Sequence, residues 1–273
     1  HLGLSDKLPM TALEQGVDIV VQSTHKTLPS FTQSSMIHIQ GERVNQERLT
    51  SILRMIESSS PSYMLMSSLE LAVDIYETKG KDLMDELLDN IDIFKKNMEK
   101  YKNINIYNDD DRTKIFISSK ELGMTGYELD EMLRMNYNVQ VELSNYYGIL
   151  LICTIGNDRG DFKSLEYALA DISLNHISNK NIGYIDYPMN IPVKELSPRE
   201  AFYNEKKSVK IYDSIGKICG EYIIPYPPGI CLVSPGEIIT KEVIDYILVC
   251  HQKGMSISGM KDPSLGYIQI IEN

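Results

Sequence analysis

Apolar residues come in short runs over the first forty positions and in long helical stripes after them. Pro9 opens a short predicted helix over residues 10–15, and Gly16 closes it. In Val17-Asp18-Ile19-Val20-Val21-Gln22 three consecutive β-branched residues predict a strand buried on both faces of an α/β sheet, with Asp18 interrupting near its start. A loop over 23–33 and a second strand over 35–39 follow. Helices are predicted over 45–56 and, from Pro61, over 62–77. Gly80 separates these from a third, over 81–101, with Leu83, Leu87, Leu88, Ile91 and Phe94 on one stripe.

Beyond residue 103 the pattern changes. Strands over 104–107 and 114–118 flank the turn Asn108-Asp109-Asp110-Asp111, and Thr125 caps a helix reaching 135. Strands over 139–143 and 149–154 and a helix over 161–176 complete a β-β-α-β-β-α order, that of a small α+β domain. Residues 179–192 read as a linker or crossover. Ser197-Pro198-Arg199-Glu200 is a capping box with proline at the first helical position. It opens a last unit with strands over 220–224 and 230–233 around Pro225-Tyr226-Pro227-Pro228-Gly229, a helix over 240–252 and a strand over 267–271. The expected domains are 1–102, 103–178 and 179–273. No repeat or low-complexity segment interrupts them.

A chain of 273 residues is long enough to bury a sizeable core. Its net charge of −11 opposes nucleic-acid binding, which requires a basic face, and is compatible with a cationic substrate. The four cysteines, Cys153, Cys219, Cys231 and Cys250, form no C-x-x-C pair and read as reduced thiols of a cytoplasmic protein. The longest apolar stretch, 148–155, is far too short to span a membrane. The opening His1-Leu2-Gly3-Leu4 lacks an initiator Met, so the sequence reads as the later part of a longer chain or a truncated one.

The tetrapeptide Ser23-Thr24-His25-Lys26, at the end of the first strand, carries the candidate chemistry. Lys26 is the candidate nucleophilic amine, because burial and neighbours tune lysines for Schiff-base formation. Ser23 and His25 are placed to donate to a phosphate dianion, which demands several hydrogen bonds. Together they suit an aldehyde cofactor with a phosphate tail; a solvated lysine ending a strand is the plain alternative. Arg159 is a weaker candidate for meeting a substrate carboxylate. Asp109-Asp110-Asp111 lacks calcium-loop spacing and reads as a solvated turn, and His38 reads as a satisfied core histidine.

The segment Gln22-Ser23-Thr24-His25-Lys26-Thr27-Leu28-Pro29, followed by Thr32-Gln33 and Met36-Ile37-His38-Ile39, resembles the lysine-bearing segment of the Orn/Lys/Arg decarboxylase family. Three further matches keep the family's order: Ser58-Ser59-Ser60-Pro61-Ser62-Tyr63, Ser197-Pro198-Arg199-Glu200-Ala201, and Pro225-Tyr226-Pro227-Pro228-Gly229 with Pro235-Gly236-Glu237. The resemblance implies a fold-type-I pyridoxal-phosphate enzyme of the α/β class: part of the cofactor-binding large domain, a small α+β domain and a C-terminal α+β domain. It implies pyridoxal 5'-phosphate held by Lys26 as a Schiff base, with Ser23 and His25 on the phosphate. It further implies decarboxylation of a basic amino acid to an amine of polyamine metabolism, and a homodimer or higher homo-oligomer in which Ser59 or Ser60 reaches the neighbouring subunit's phosphate. A polar helix cap before Pro61 is the alternative for those serines. Rigid turns are favoured for the Pro-Pro-Gly segment and Glu237, and no metal is expected.

Two departures bear on this. Cys231 stands where the family usually has proline. The family's aspartate for the pyridine nitrogen, its phosphate loop and its stacking ring fall upstream of His1, so the chain by itself is expected not to be a competent catalyst. Another pyridoxal-phosphate reaction on the same fold, or a non-catalytic homologue or fragment serving assembly or regulation, are the alternatives.

Overall fold

The computed structural model describes residues 3–272; His1 and Leu2, in the chain's unusual opening, lie outside them. The predicted helix over 10–15 is a single turn. Thr11 and Glu14 exchange backbone-to-side-chain bonds across it, and Gly16 ends it in the left-handed region at φ +82°. Few residues separate the two stops, so no second turn forms. Strands β1 (Ile19–Gln22) and β2 (Met36–Ile39) pair antiparallel with Val20 opposite His38. Contrary to expectation, β1 is not buried on both faces in these residues: Val21 is 69% exposed. Asp18 falls just outside the strand and accepts from Arg43 Nε at 3.0 Å.

Helix α1 (Gln46–Ile56) begins at Asn45, whose side chain accepts from Arg48 N–H. Helix α2 (Tyr63–Met98) runs 36 residues without a break, where two helices separated at Gly80 are expected. Gly80 is not a stop: it is buried, and a Cβ there would come within 2.6 Å of Leu4 Cδ2. The missing side chain makes room for Leu4, and the helix continues because a helical glycine costs only about 1 kcal/mol. The buried stripe of its second half is Met84, Leu87, Leu88, Ile91, Phe94 and Met98; Met84 takes the place expected for Leu83.

Strands β3 (Asn105–Asn108) and β4 (Lys114–Ser118) are antiparallel. Helix α3 (Gly126–Tyr137) is opened by a Thr125/Glu128 capping box. Strands β5 (Leu143–Asn145) and β6 (Gly148–Ile152) and helix α4 (Arg159–Asn175) follow, α4 with an Asp158/Asp161 capping box. The β-β-α-β-β-α order is as predicted, but residues 139–142 are not a strand. Asn138 turns the chain at φ +55°, and the first bond of Glu142 N–H is to the Leu150 carbonyl at 3.0 Å.

Helix α5 (Pro198–Tyr203) carries the Ser197/Glu200 capping box read from the sequence. Strands β7 (Lys206–Lys210), β8 (Ile218–Cys219) and β9 (Ile224–Tyr226), helix α6 (Lys241–Gln252), and strands β10 (Ser256–Ser258) and β11 (Tyr267–Ile271) complete the chain. β11 lies between β7 and β8, and β9 pairs with β10. The segment 230–233 forms only a bridge, Ile223 to Val233, rather than the expected strand.

Two compact units result. One holds the residues up to Leu122, Asp130–Glu142 and Ile149–Ser178; the other holds Gly123–Leu129, Leu143–Gly148 and everything from Asn179 on. In the first, the α2 stripe is buried together with Ile115 and Ile117 of β4 and Phe162, Leu165 and Leu169 of α4, the Phe94 and Phe162 rings 5.9 Å apart. In the second, Val243, Ile244, Ile247 and Cys250 of α6 share a core with Cys219, Ile223, Val233, Ile268 and Ile270. No described helix is long and apolar enough to cross a membrane.

Candidate functional site

β1 runs directly into a single 3-10 turn, Thr24–Lys26, with Ser23 at its N-cap. The turn closes through Lys26 N–H to the Ser23 carbonyl (3.1 Å) and Leu28 N–H to the Thr24 carbonyl (2.8 Å). Buried Thr24 and Leu28 anchor it from beneath, which leaves Ser23 and Lys26 on the exposed side and His25 half-buried between them. The structure thus brings three of the five sequence-predicted site residues onto one turn.

The turn is braced by the loop after it. His25 Nδ1 lies 2.9 Å from the carbonyl oxygen of buried Ser34. A carbonyl only accepts, so Nδ1 carries the hydrogen and Nε2 is the ring's remaining polar atom. Gln33, at φ +80°, holds strained backbone just before Ser34. The Ser30 and Ser34 hydroxyls are 2.6 Å apart, and Phe31 N–H donates to Ser68 Oγ of α2 at 3.2 Å. Beneath the turn, the hydroxyls of Thr24 and Thr27 are buried with no hydrogen-bond partner among the described residues.

Lys26 Nζ donates to Glu142 Oε1 at 2.8 Å. Glu142 also lines a cavity of about 690 Å³ whose wall includes Tyr137, Gln140, Cys153, Asn157 and Asp161. Burial pushes the Cys153 thiol up to about 12, so it stays protonated and is no nucleophile near neutral pH. Burial, then the bond to Asp171, raises the Tyr137 phenol to about 12. Sequence reasoning did not reach Glu142. It lies 116 residues from Lys26, in an alternating run that reads only as a strand.

The remaining candidates separate from the turn. Ser59 and Ser60 lie in the exposed segment before α2, where Ser58 Oγ donates to the Ser60 carbonyl; they take no part in the hydrogen bonds of the lysine turn. Arg159 pairs with Glu166 of its own helix at 2.8 Å. His38 is half-buried and bonded to Gln22. Asp111 folds back on Thr113 and Lys114, and Glu237 accepts from Ser234 N–H at 2.7 Å. The four cysteines are free, three of them buried. Among the described residues no group of His, Cys, Asp or Glu is arranged to hold a metal.

Comparison with known proteins places this turn in a family. The model of the Orn/Lys/Arg decarboxylase major domain matches residues 4–118, and that of the Orn/Lys/Arg decarboxylase C-terminal domain matches residues 186–269. An arginine decarboxylase of Bacillus subtilis is 33% identical over the whole chain, and one of Halalkalibacterium halodurans 35%. The chain spans 58% of the length of each. The fold matches a lysine decarboxylase of Francisella novicida with a TM-score of 0.75 at 21% identity, covering 94% of this chain and 49% of that one.

Proposed function

Because the chain belongs to the Orn/Lys/Arg decarboxylase family, we propose that the full-length protein containing it removes the α-carboxylate of a basic amino acid, with pyridoxal phosphate as cofactor. The products are the corresponding amine and CO₂, and arginine, lysine and ornithine are the candidate substrates. The observation that carries the reading is the Ser23–Lys26 turn, with its amine exposed and its frame fixed.

The residues present fit the cofactor. Lys26 offers a half-exposed amine for the aldehyde, and Ser23 and His25 offer an exposed hydroxyl and a ring nitrogen for the phosphate. The two buried, unpartnered threonine hydroxyls mark polar capacity in the same turn. When bound, pyridoxal phosphate supplies a conjugated electron sink for the pair left by the departing carboxylate. The chain's own residues do the rest. Ser23 and His25 would orient the phosphate, Lys26 Nζ would hold the cofactor's aldehyde, and the same Nζ would hold a proton for the α-carbon once the substrate amine is bound. Ser59 or Ser60 serves the phosphate of a neighbouring subunit in a homodimer, residues 1–102 belong to the cofactor-binding domain, and the enzyme works in the cytoplasm.

The arginine decarboxylases of Bacillus subtilis and Halalkalibacterium halodurans match the whole chain, so arginine is the first substrate to test. Full-length protein with cofactor is expected to release one CO₂ and one agmatine per arginine consumed. Keto acid in place of CO₂ would move the protein to a different reaction on this fold. No turnover of any basic amino acid would end the decarboxylase reading.

A further inference from the structure

We infer that a cavity of the second compact unit, between residues 184–190 and helix α6, is a binding site for a linear organic dication, a diamine or an aminoalkyl guanidine. The cavity measures about 590 Å³, and its lining residues all fall within that unit. The inference does not need the decarboxylase reading; that reading only makes amine products the first cations to try.

The two walls differ in origin and agree in chemistry. On α6, Glu242, Asp245, Tyr246 and Val249 fall at i, i+3, i+4 and i+7, so one helix face supplies two carboxylates, a ring and an apolar residue. From the other side Asp186 and the rings of Tyr184 and Tyr187 line the cavity, on a segment without regular structure. No lysine, arginine or histidine is among the lining residues. Carboxylates on both walls suit a ligand charged at both ends, and aromatic faces attract a cationic head.

The irregular segment is nevertheless held. Ile185 is buried, and its N–H donates to Tyr147 Oη at 2.9 Å. Tyr184 stacks on Tyr147 with ring centroids 6.5 Å apart, and Tyr187 meets Tyr246 edge-on at 5.4 Å. At the far end Asn190 Nδ2 donates to Glu242 Oε2 at 3.0 Å. Folding accounts for little of the lining. Tyr184 is 80% exposed, a ring left in water beside a cavity. The start of a helix favours an acid at Glu242, but not at Asp186, which forms no ion pair among the described residues. Lys241, beside the cavity, has its Nζ taken up by Asp245 and so competes with a ligand for that carboxylate.

The test is a calorimetric titration of the full-length protein with agmatine, n-butylamine and n-butanol. Agmatine is expected to saturate one site with a Kd of about 1 mM or below. The monocation n-butylamine should bind at least about fivefold more weakly, having lost one ion pair, and neutral n-butanol not at all. Asp186→Asn combined with Glu242→Gln changes two exposed carboxylates for near-isosteric amides. It should weaken agmatine about tenfold or more, with an unchanged melting temperature. Lys241→Gln should tighten agmatine by about twofold to fivefold, because Asp245 is released; damage to the fold would not strengthen binding. Lys26→Ala should leave this site unchanged. No saturation in that range, an affinity insensitive to the cavity substitutions, or loss of the site in Lys26→Ala overturns the inference. The last result would assign the binding to the lysine turn and leave the decarboxylase reading standing. Failure of turnover beside intact cavity binding would do the reverse.

Discussion

At the scale of the residue, what the sequence makes visible is what is contiguous. Ser23, His25 and Lys26 lie on one 3-10 turn because they are neighbours in the chain, and reading the tetrapeptide finds all three. Glu142 is not findable this way: its contact crosses 116 positions, and nothing in Val139–Leu143 distinguishes a carboxylate facing a lysine from one facing water. Asp111 gives a test of local electrostatics. Burial raises its carboxyl, but bonds from Lys114 and Thr113 outweigh that and leave it below its ordinary value of 3.8. A lowered folded value stabilises above the unfolded value, and the contribution is lost as pH falls through the folded one. Asp111→Asn is therefore expected to cost about 1 kcal/mol near pH 7, the side chains being only partly buried. The deficit in melting temperature should shrink as pH is lowered from about 5 through the carboxylate range; a deficit independent of pH would count against it.

At the scale of the element, stop signals were read correctly where they act through hydrogen bonds. The Ser197/Glu200 box and the cap at Thr125 sit where the sequence puts them. They misled where a glycine serves packing instead. Gly80 and Gly126 look alike in sequence, but a Cβ at Gly80 would meet the end of the Leu4 side chain, whereas one at Gly126 would come within 2.0 Å of the Gly148 carbonyl oxygen. A leucine tip can turn aside and backbone cannot. Gly80→Ala is expected to be close to neutral, its strain offset by about 1 kcal/mol of helix propensity. Gly126→Ala should lower the unfolding free energy by about 2 kcal/mol or more, measured by urea titration with unchanged slope. Equal effects would refute this distinction. Strand β7, Lys-Lys-Ser-Val-Lys, went unread because its lysine-rich sequence carries no alternation; edge strands are often charged in this way.

At the scale of the whole molecule, the order of elements and the family followed from the sequence, because four motifs in sequence order constrain a chain more than any one of them. Burial did not follow. The β1 pattern reads as a strand covered on both faces, yet Val21 is 69% exposed, and α1 buries none of its side chains. Periodicity records what a segment can bury, not what lies against it. The chain spans 58% of the length of the two arginine decarboxylases, and the proposed decarboxylation is that of the full-length protein. It depends on Lys26 as the cofactor lysine. The most direct measurement is the visible absorption of full-length protein mixed with pyridoxal phosphate, beside Lys26→Ala. A band that borohydride bleaches is expected, with the cofactor then recovered on the peptide containing Lys26, and no such band in Lys26→Ala. An identical, borohydride-sensitive band in Lys26→Ala, or none in either protein, would contradict it.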